Sequence, residues 1–377
     1  MLTLGVIASS RKENEHRLPI HPDHFELIPR ESRTSIRFER GYGEPFGISD
    51  AELERDFGGI ADRSELLGES HVVLLPKPLP EDLQELREGS ILWGWPHCVQ
   101  QDEITQIAID RKLTLIAWEA MFSWNRGVRE MHVFDRNNEM AGYCGVIHAL
   151  GLAGKDGLYG APVEACVLSH GSVSRGAIFA LLRRGFRDIR VFTQREPWAV
   201  HDKIPGCRYG HMLRSGTRDG LDVVQDDGSR APLIDVLGAA DVIVNGILQG
   251  TDNPLMFIRE GEETQLKPGA VIVDVSCDLE MGFPFARPTS FDAPTFPVGR
   301  VTYYAVDHTP TYLWRSATWE LSRVVVPFLP IVMGGPEAWK RDETVHRSIE
   351  IRDGVIQNPK ILSFQKRSEE YPHPVTG

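Results

Sequence analysis

Residues 164–186 read EACVLSHGSVSRGAIFALLRRGF: an apolar run of strand length, a turn of small residues, then apolar residues at helical spacing closed by arginines. Strand, small-residue turn and helix in that order are what a dinucleotide-binding β-α-β unit requires, because the turn brings a pyrophosphate to the helix N-terminus. Aligned on G-x-G-x-x-G, the glycine positions hold Ser169, Gly171 and Ser174, so only the middle glycine is present, with Gly176 two residues on. The motif alone is weak, since such turns also occur without a nucleotide. Its context strengthens it. The next strand, IRVFTQ, ends about 20 residues further on, where the ribose-reading residue belongs. NAD-binding proteins usually carry an acid there. Here Thr193, Gln194 and Arg195 offer donors and a cation, chemistry suited to a 2′-phosphate, so NADPH is expected in preference to NADH. Arg195 as a solvated surface charge is the plain alternative. The turn residues Ser169, Gly171, Ser172, Val173, Ser174 and Arg175 are the candidates for phosphate contact. Asn245, Gly246, Ser276 and Asp307 are further candidates for cofactor contact.

Outward from this unit, PLIDVLGAADVIVNGIL and KPGAVIVDVSCD continue the alternation of strands and helices. A similar series fills the N-terminal third: LTLGVIA, SIRFER, HVVLLP, ILWGW and TLIAWEA, separated by HPDHFELIPR, SDAELERDF, PEDLQELREG and QQDEITQIAIDRK, which have helical spacing. Two such series imply an α/β protein with two Rossmann-like domains, each built on a parallel sheet, and a cleft between them. VREMHVFDRNNEMAGYCGVIHALGLAGK reads as a helix crossing from the first to the second. TYLWRSATWELSRVVVPFLPIVM and the polar tail after it are too little for a third domain and are expected to pack on the first. The resulting division is a discontinuous catalytic domain, 1–130 and 308–377, with a nucleotide domain, 131–307, inserted.

The chain has 377 residues, enough for two cores. A formal charge of −12 argues against nucleic-acid binding, which needs clustered Lys and Arg. Five scattered cysteines without a C-x-x-C pair suggest reduced thiols, and the first apolar run is too short for a signal peptide or membrane span; a cytoplasmic protein is expected.

Ligands of a parallel sheet gather at the carboxyl ends of its strands. Three successive strands of the first series end in ionisable groups: Lys77 after VVLLP, His97 after ILWGWP and Glu119 after TLIAW. Pro76, Pro78 and Pro96 mark these strand ends and stiffen the backbone beside them. A lysine desolvated there would have a lowered pKa useful for proton transfer, and histidine titrates near neutrality. Read alone, a lysine between prolines is most often an exposed loop residue and a lone histidine after a strand most often structural. Arg17, after the first strand, suits bidentate binding of a carboxylate, or else a surface ion pair with Glu13 or Glu15. His21 and His24 have metal-compatible spacing but no third ligand, and read better as a helix start; no metal site is expected.

Taken together, RKENEHRLPIHP, LLPKPLP, WPH, KPGAVIVDVSCD, RPTSFDAPTF and YYAVDHTPTYLWRSAT resemble, in order and spacing, the alanine dehydrogenase and saccharopine dehydrogenase superfamily over residues 1 to about 325. The DHTP segment, Asp307 to Pro310, and TQR look most like its NADP-dependent opine-forming branch, the N5-(carboxyethyl)ornithine synthases, and next most like lysine-forming saccharopine dehydrogenases. The resemblance implies that Lys77 and His97 are an acid–base pair, Arg17 binds a substrate carboxylate, Glu119 lies near the pair and Asp278 near the cofactor. It further implies condensation of a 2-oxo acid with an amino acid in a homo-oligomer, dimer or tetramer. Alanine and saccharopine dehydrogenation remain the enzymatic alternatives, and an NADPH-binding sensor or scaffold the non-enzymatic one. Ser169 and Ser174 depart from the family's glycines.

Overall fold

A computed structural model describes residues 1–216, 220–225, 227–249 and 254–376. The chain forms two compact units, one of residues 1–135 with 314–377 and one of residues 136–313.

The first unit contains strands β1 (Leu4–Val6), β2 (Ile36–Glu39), β3 (Ile60–Ala61), β4 (Val72–Leu74), β5 (Ile91–Gly94) and β6 (Thr114–Ala117), and a separate hairpin of β7 (Phe122–Asn125) and β8 (Val128–His132). The second unit contains β9 (Glu164–Leu168), β10 (Asp188–Thr193), β11 (Cys207–Arg214), β12 (Leu221–Val224), β13 (Arg230–Pro232), β14 (Val242–Asn245), β15 (Val271–Asp274), β16 (Thr295–Val298) and β17 (Val301–Tyr304). The chain then returns to the first unit with β18 (Ile349–Arg352) and β19 (Val355–Ile356).

The first sheet runs β19-β18-β6-β5-β4-β1-β2-β3, with β1 to β6 parallel and β18 antiparallel to β6. The second runs β13-β12-β11-β10-β9-β14-β15-β17-β16; its parallel core is β11-β10-β9-β14-β15-β17, edged by antiparallel β12, β13 and β16. In each parallel core the first strand lies beside the fourth, so each unit is doubly wound with one switch point, at β1/β4 and at β9/β14.

Alternation along the strands explains why both faces of each sheet are covered. Val72 and Leu74 join one apolar cluster while Val73 and Leu75 join the other. In the second unit Cys166 and Leu168 take one side, Ala165 and Val167 the opposite one. With side chains at period two, such near-continuous apolar strands need helices on both faces. The helix Trp314–Met333 supplies one layer over the first sheet through Leu321, Val325 and Leu329.

Three local expectations change. HPDHFELIPR forms only a 3₁₀ turn, Pro22–Leu27, because Pro22 starts it and Pro29 follows closely. His21 caps that turn by accepting from the Asp23 N–H, and His24 meets the Ser322 hydroxyl at 2.8 Å. Val128–His132, expected within a helix, is a hairpin strand: Arg126 and Gly127 both have positive φ, the two-residue turn that closes antiparallel strands. The helix begins only at Asp135 and runs to Leu152. The polar tail supplies β18 and β19, joined at Asp353-Gly354 by the same kind of turn. Among the described residues no helix is long and apolar enough to cross a membrane, and no three His, Cys, Asp or Glu side chains are grouped to hold a metal.

Candidate active site

Three strand ends in the first unit converge. Ser10, just past β1, donates its hydroxyl to the Lys77 carbonyl, which places Lys77 at the switch point beside β4. Gly94 lets the neighbouring segments close up, since a Cβ there would overlap the Leu75 carbonyl oxygen. Trp95 N–H then donates to the Pro76 carbonyl at 2.9 Å, tying the Lys77 and His97 loops together. Lys77 Nζ lies 2.9 Å from His97 Nε2.

His97 has φ +50, a strained conformation for a residue with a Cβ. Glu119, in the turn after β6, holds it there: Oε1 accepts the His97 backbone N–H at 2.6 Å and sits 3.9 Å from His97 Nδ1. On the far side of the loop, Gln365 donates to the Cys98 carbonyl at 2.7 Å. Among the described residues Glu119 Oε2 is buried without a hydrogen-bond partner. Burial, then the charge of Glu350, pushes the Glu119 carboxyl up to about 8, against the N–H of His97 and the charge of Lys77.

Arg17 joins the same neighbourhood. Its guanidinium lies 5.1 Å from the centre of the Trp95 ring, and Lys77 Nζ lies 6.0 Å from it. The ion pair with Glu15 exists but is buried, with Arg17 only 4% exposed; Glu15 takes Nε at 2.8 Å and also pairs with Nη2. A cation so buried and oriented by one carboxylate is preorganised rather than a mobile surface charge.

In the second unit the turn after β9 replaces glycines by other means. Ser169, at the first glycine position, has φ +88, and its Oγ accepts the Gly171 N–H at 3.2 Å. Ser174 donates its hydroxyl to the Leu168 carbonyl at 3.0 Å, closing the turn onto its own strand. Gly246, after β14, makes room for that serine, for a Cβ there would overlap Ser174 Oγ. Gly171 is exposed, and among the described residues a Cβ on it would meet only Ser169 Oγ, at 3.8 Å. The turn therefore leaves open space at the N-terminus of the helix Ser172–Arg183, where the N–H groups of Ser172 and Val173 lack intrahelical acceptors. That cradle fits a pyrophosphate.

Beyond β10 the Thr193 hydroxyl is used inside its own turn: it donates to the Arg195 carbonyl at 2.7 Å and accepts the Arg195 N–H. Gln194 and Arg195 are exposed. Arg175 Nη1 donates to the Asp202 carbonyl at 2.9 Å and lies 3.4 Å from His170 Nε2. Burial, with the charges of Arg175 and Arg195, holds the His170 imidazole below its ordinary pKa.

Asn245 donates to Asp274 Oδ1 at 2.9 Å, and Tyr303 donates to Asp274 Oδ2 at 2.7 Å. Burial pushes Asp274 and Asp278 each up to about 6. Ser276 and Asp278 are half-buried in the segment after β15, and Asp307 lies 2.6 Å from His308 Nδ1. Sequence reading overlooked Asp274, Trp95 and Glu350. Asp274 carried the available signal, an acid ending an apolar strand.

Two family sequence models match the chain: the alanine dehydrogenase/PNT N-terminal domain over residues 5–141 and the alanine dehydrogenase/PNT C-terminal domain over residues 219–359. The turn Ser169–Ser174 and the Thr193–Arg195 segment fall between the two matches. An N(5)-(carboxyethyl)ornithine synthase of Lactococcus lactis subsp. lactis is 24% identical over 82% of this chain and 90% of its own. An alanine dehydrogenase of Halomonas elongata is 25% identical over 92% of both. A solved L-alanine dehydrogenase superposes with a TM-score of 0.77 at 19% identity, over 96% of this chain and 99% of that one. With both family models matched in order, the chain belongs to the alanine dehydrogenase/PNT family and is an NAD(P)-dependent oxidoreductase.

Proposed function

We propose that the protein catalyses NADPH-dependent reductive condensation of a 2-oxo acid, pyruvate, with the side-chain amine of an amino acid, ornithine, giving an N-carboxyethyl amino acid. The observation that carries the reading is the 2.9 Å contact between Lys77 Nζ and His97 Nε2 beside a buried arginine. Condensation needs two proton-handling groups. The amine must lose a proton to attack the carbonyl carbon, and the carbonyl oxygen must gain protons to leave as water.

Of Lys77 and His97, one takes the proton of the attacking amine while the other donates to the carbonyl oxygen and then to the departing hydroxide. Their contact lets the proton pass between them from one step to the next. Glu119 fixes the His97 backbone and so the direction of its ring. Arg17, oriented by Glu15, holds the oxo-acid carboxylate through charge and hydrogen bonding. Bound NADPH supplies the hydride that reduces the C=N carbon. Gly171 and the N–H groups of Ser172 and Val173 would hold its pyrophosphate, with Asn245, Gly246, Ser276, Asp278 and Asp307 lining its remainder. Arg195, with Arg175, would meet the 2′-phosphate.

The relatedness to alanine dehydrogenase supports a second reading, in which ammonia replaces the amino acid. Oxidation of NADPH with pyruvate is therefore measured against ornithine, lysine and ammonia, and the product weighed. A product of amine plus pyruvate less one oxygen supports condensation. Alanine as the sole product refutes it in favour of the second reading.

A further inference from the structure

Residues 76–79 carry the Lys77 side chain, and two of the four, Pro76 and Pro78, have no N–H to offer. The backbone there is tied from outside. Trp95 N–H meets the Pro76 carbonyl, and the Ser10 hydroxyl meets the Lys77 carbonyl at 3.2 Å. The third tie is a carboxylate. From the first turn of the helix Pro80–Glu85, Asp82 reaches back and accepts the Leu79 N–H on Oδ2 at 2.8 Å, two residues past Lys77.

The other oxygen of Asp82 faces two cations. Oδ1 accepts from Arg11 Nη1 at 2.9 Å and from Arg63 Nη2 at 2.6 Å. Arg63, at the start of the helix Arg63–Glu69, turns its Nη1 to the exit of β1, where it donates to the Ser9 carbonyl and lies 3.2 Å from the Ser9 hydroxyl. Glu39, at the end of β2, fixes the same exit. Its carboxylate accepts the N–H groups of Ala8 at 2.6 Å and Ser9 at 2.9 Å, and the Ser9 hydroxyl at 2.7 Å. These contacts close a ring: Asp82 to Arg63, Arg63 to Ser9, along the chain to Ser10, from Ser10 to the Lys77 carbonyl, and through Pro78 and Leu79 back to Asp82.

Asp82 is 0% exposed. A carboxylate taken fully out of water is costly unless it is paired and hydrogen-bonded. Capping a six-residue helix requires no such burial, since a solvated aspartate accepts the same N–H. What the buried charge adds is a fixed position of the Lys77 segment against the exit of β1. Lysine has four side-chain torsions, so its 2.9 Å contact with His97 depends on where its backbone is held.

We propose that Asp82 is a positioning residue for Lys77, the centre of a hydrogen-bonded ring that sets where the Lys77 nitrogen stands against His97. The inference rests on the acid–base reading of Lys77 and His97.

Asp82→Asn keeps an acceptor for Leu79 and removes the negative charge between the two arginines. Its kcat is compared in the wild-type and Lys77→Met backgrounds, with NADPH binding followed by fluorescence titration. In the wild-type background we expect kcat to fall about tenfold with NADPH affinity unchanged. In Lys77→Met we expect no further fall, because a residue that acts only through Lys77 then has nothing to act on. Equal factors in both backgrounds would mean that Asp82 supports the fold alone, and that result overturns the proposal. Arg63→Gln, in which Arg11 still faces Asp82, gives the same comparison should Asp82→Asn fail to fold. A second measurement needs no turnover. The carbon-13 signal of Lys77 Cε in lysine-labelled protein, assigned by its loss in Lys77→Met, should shift in Asp82→Asn and in Arg63→Gln. A signal that stays in place refutes the positioning of Lys77. A shifted signal beside near-normal turnover of Lys77→Met and His97→Gln removes the acid–base reading and leaves the positioning standing.

Discussion

Glu119→Gln stabilises the first unit, by an amount that grows with pH. The wild-type carboxyl moves from an ordinary 4.5 up to about 8 on folding. A carboxyl so raised contributes stability that is fully present below pH 4.5 and lost as pH rises through about 8. The slope is about 1.4 kcal/mol per pH unit in that window, roughly 3 kcal/mol by pH 7. Because 28% of the side chain faces water, solvent screens part of it, and we expect about 2 kcal/mol at pH 7. Glutamine cannot ionise and keeps the acceptor for the His97 N–H. The variant should match wild type near pH 5, gain about 2 kcal/mol at pH 7 and level off above about 8. Urea unfolding followed by tryptophan fluorescence reads this directly, since every tryptophan except Trp198 lies in the first unit. A difference that stays constant from pH 5 to 8.5 would mean that Glu119 is ionised in the folded protein, and would refute the reasoning.

Lys77→Met and His97→Gln should each lower turnover by about a hundredfold or more with NADPH binding retained, checked by steady-state kinetics beside fluorescence titration; near-normal turnover in both removes the acid–base pair. Arg195→Ala should lower the preference for NADPH over NADH by about tenfold, the loss of one charge-assisted hydrogen bond, with NADH kinetics little changed. An equal loss for both cofactors would assign Arg195 to the fold. A Cβ on Gly176 would overlap the Glu139 carbonyl oxygen in the adjoining helix, so Gly176→Ala should destabilise the second unit by about 1–3 kcal/mol. Circular-dichroism melting tests it, and an unchanged melt would mean the helices separate freely.

The α/β class was legible because apolar strands and amphipathic helices alternate through both units, a pattern that survives substitution of individual residues. What escaped was set by pairing between distant segments. IEIRDGVI carries the alternation and Asp-Gly turn of a hairpin, yet its polar surroundings concealed a place in the first sheet, about 235 residues from its partner β6. Glu350, the extra residue of a bulge between Ile349 and Ile351, follows from that partnership, since a bulge exists only relative to the opposite strand. Ser174 illustrates a different limit. At a glycine position it looked like a phosphate ligand, but its hydroxyl is turned onto Leu168. Lys77 and His97 could be placed on neighbouring strand ends from sequence, whereas their 2.9 Å contact depends on Gly94 letting two loops close together.

The interrupted first unit has a consequence for synthesis. Strand β6 is buried at every position and depends on β18 to cover its outer edge. Between emergence of Ala117 and arrival of Ile349, a ribosome must deliver more than two hundred residues, including the whole second unit. For that time the nascent sheet presents an unpaired apolar edge, the kind of template that recruits other chains. The inserted unit can fold meanwhile, but the first sheet, whose strand ends carry Lys77, His97 and Glu119, cannot be completed until the last strands dock. A long-exposed strand edge is the cost of inserting one unit within another.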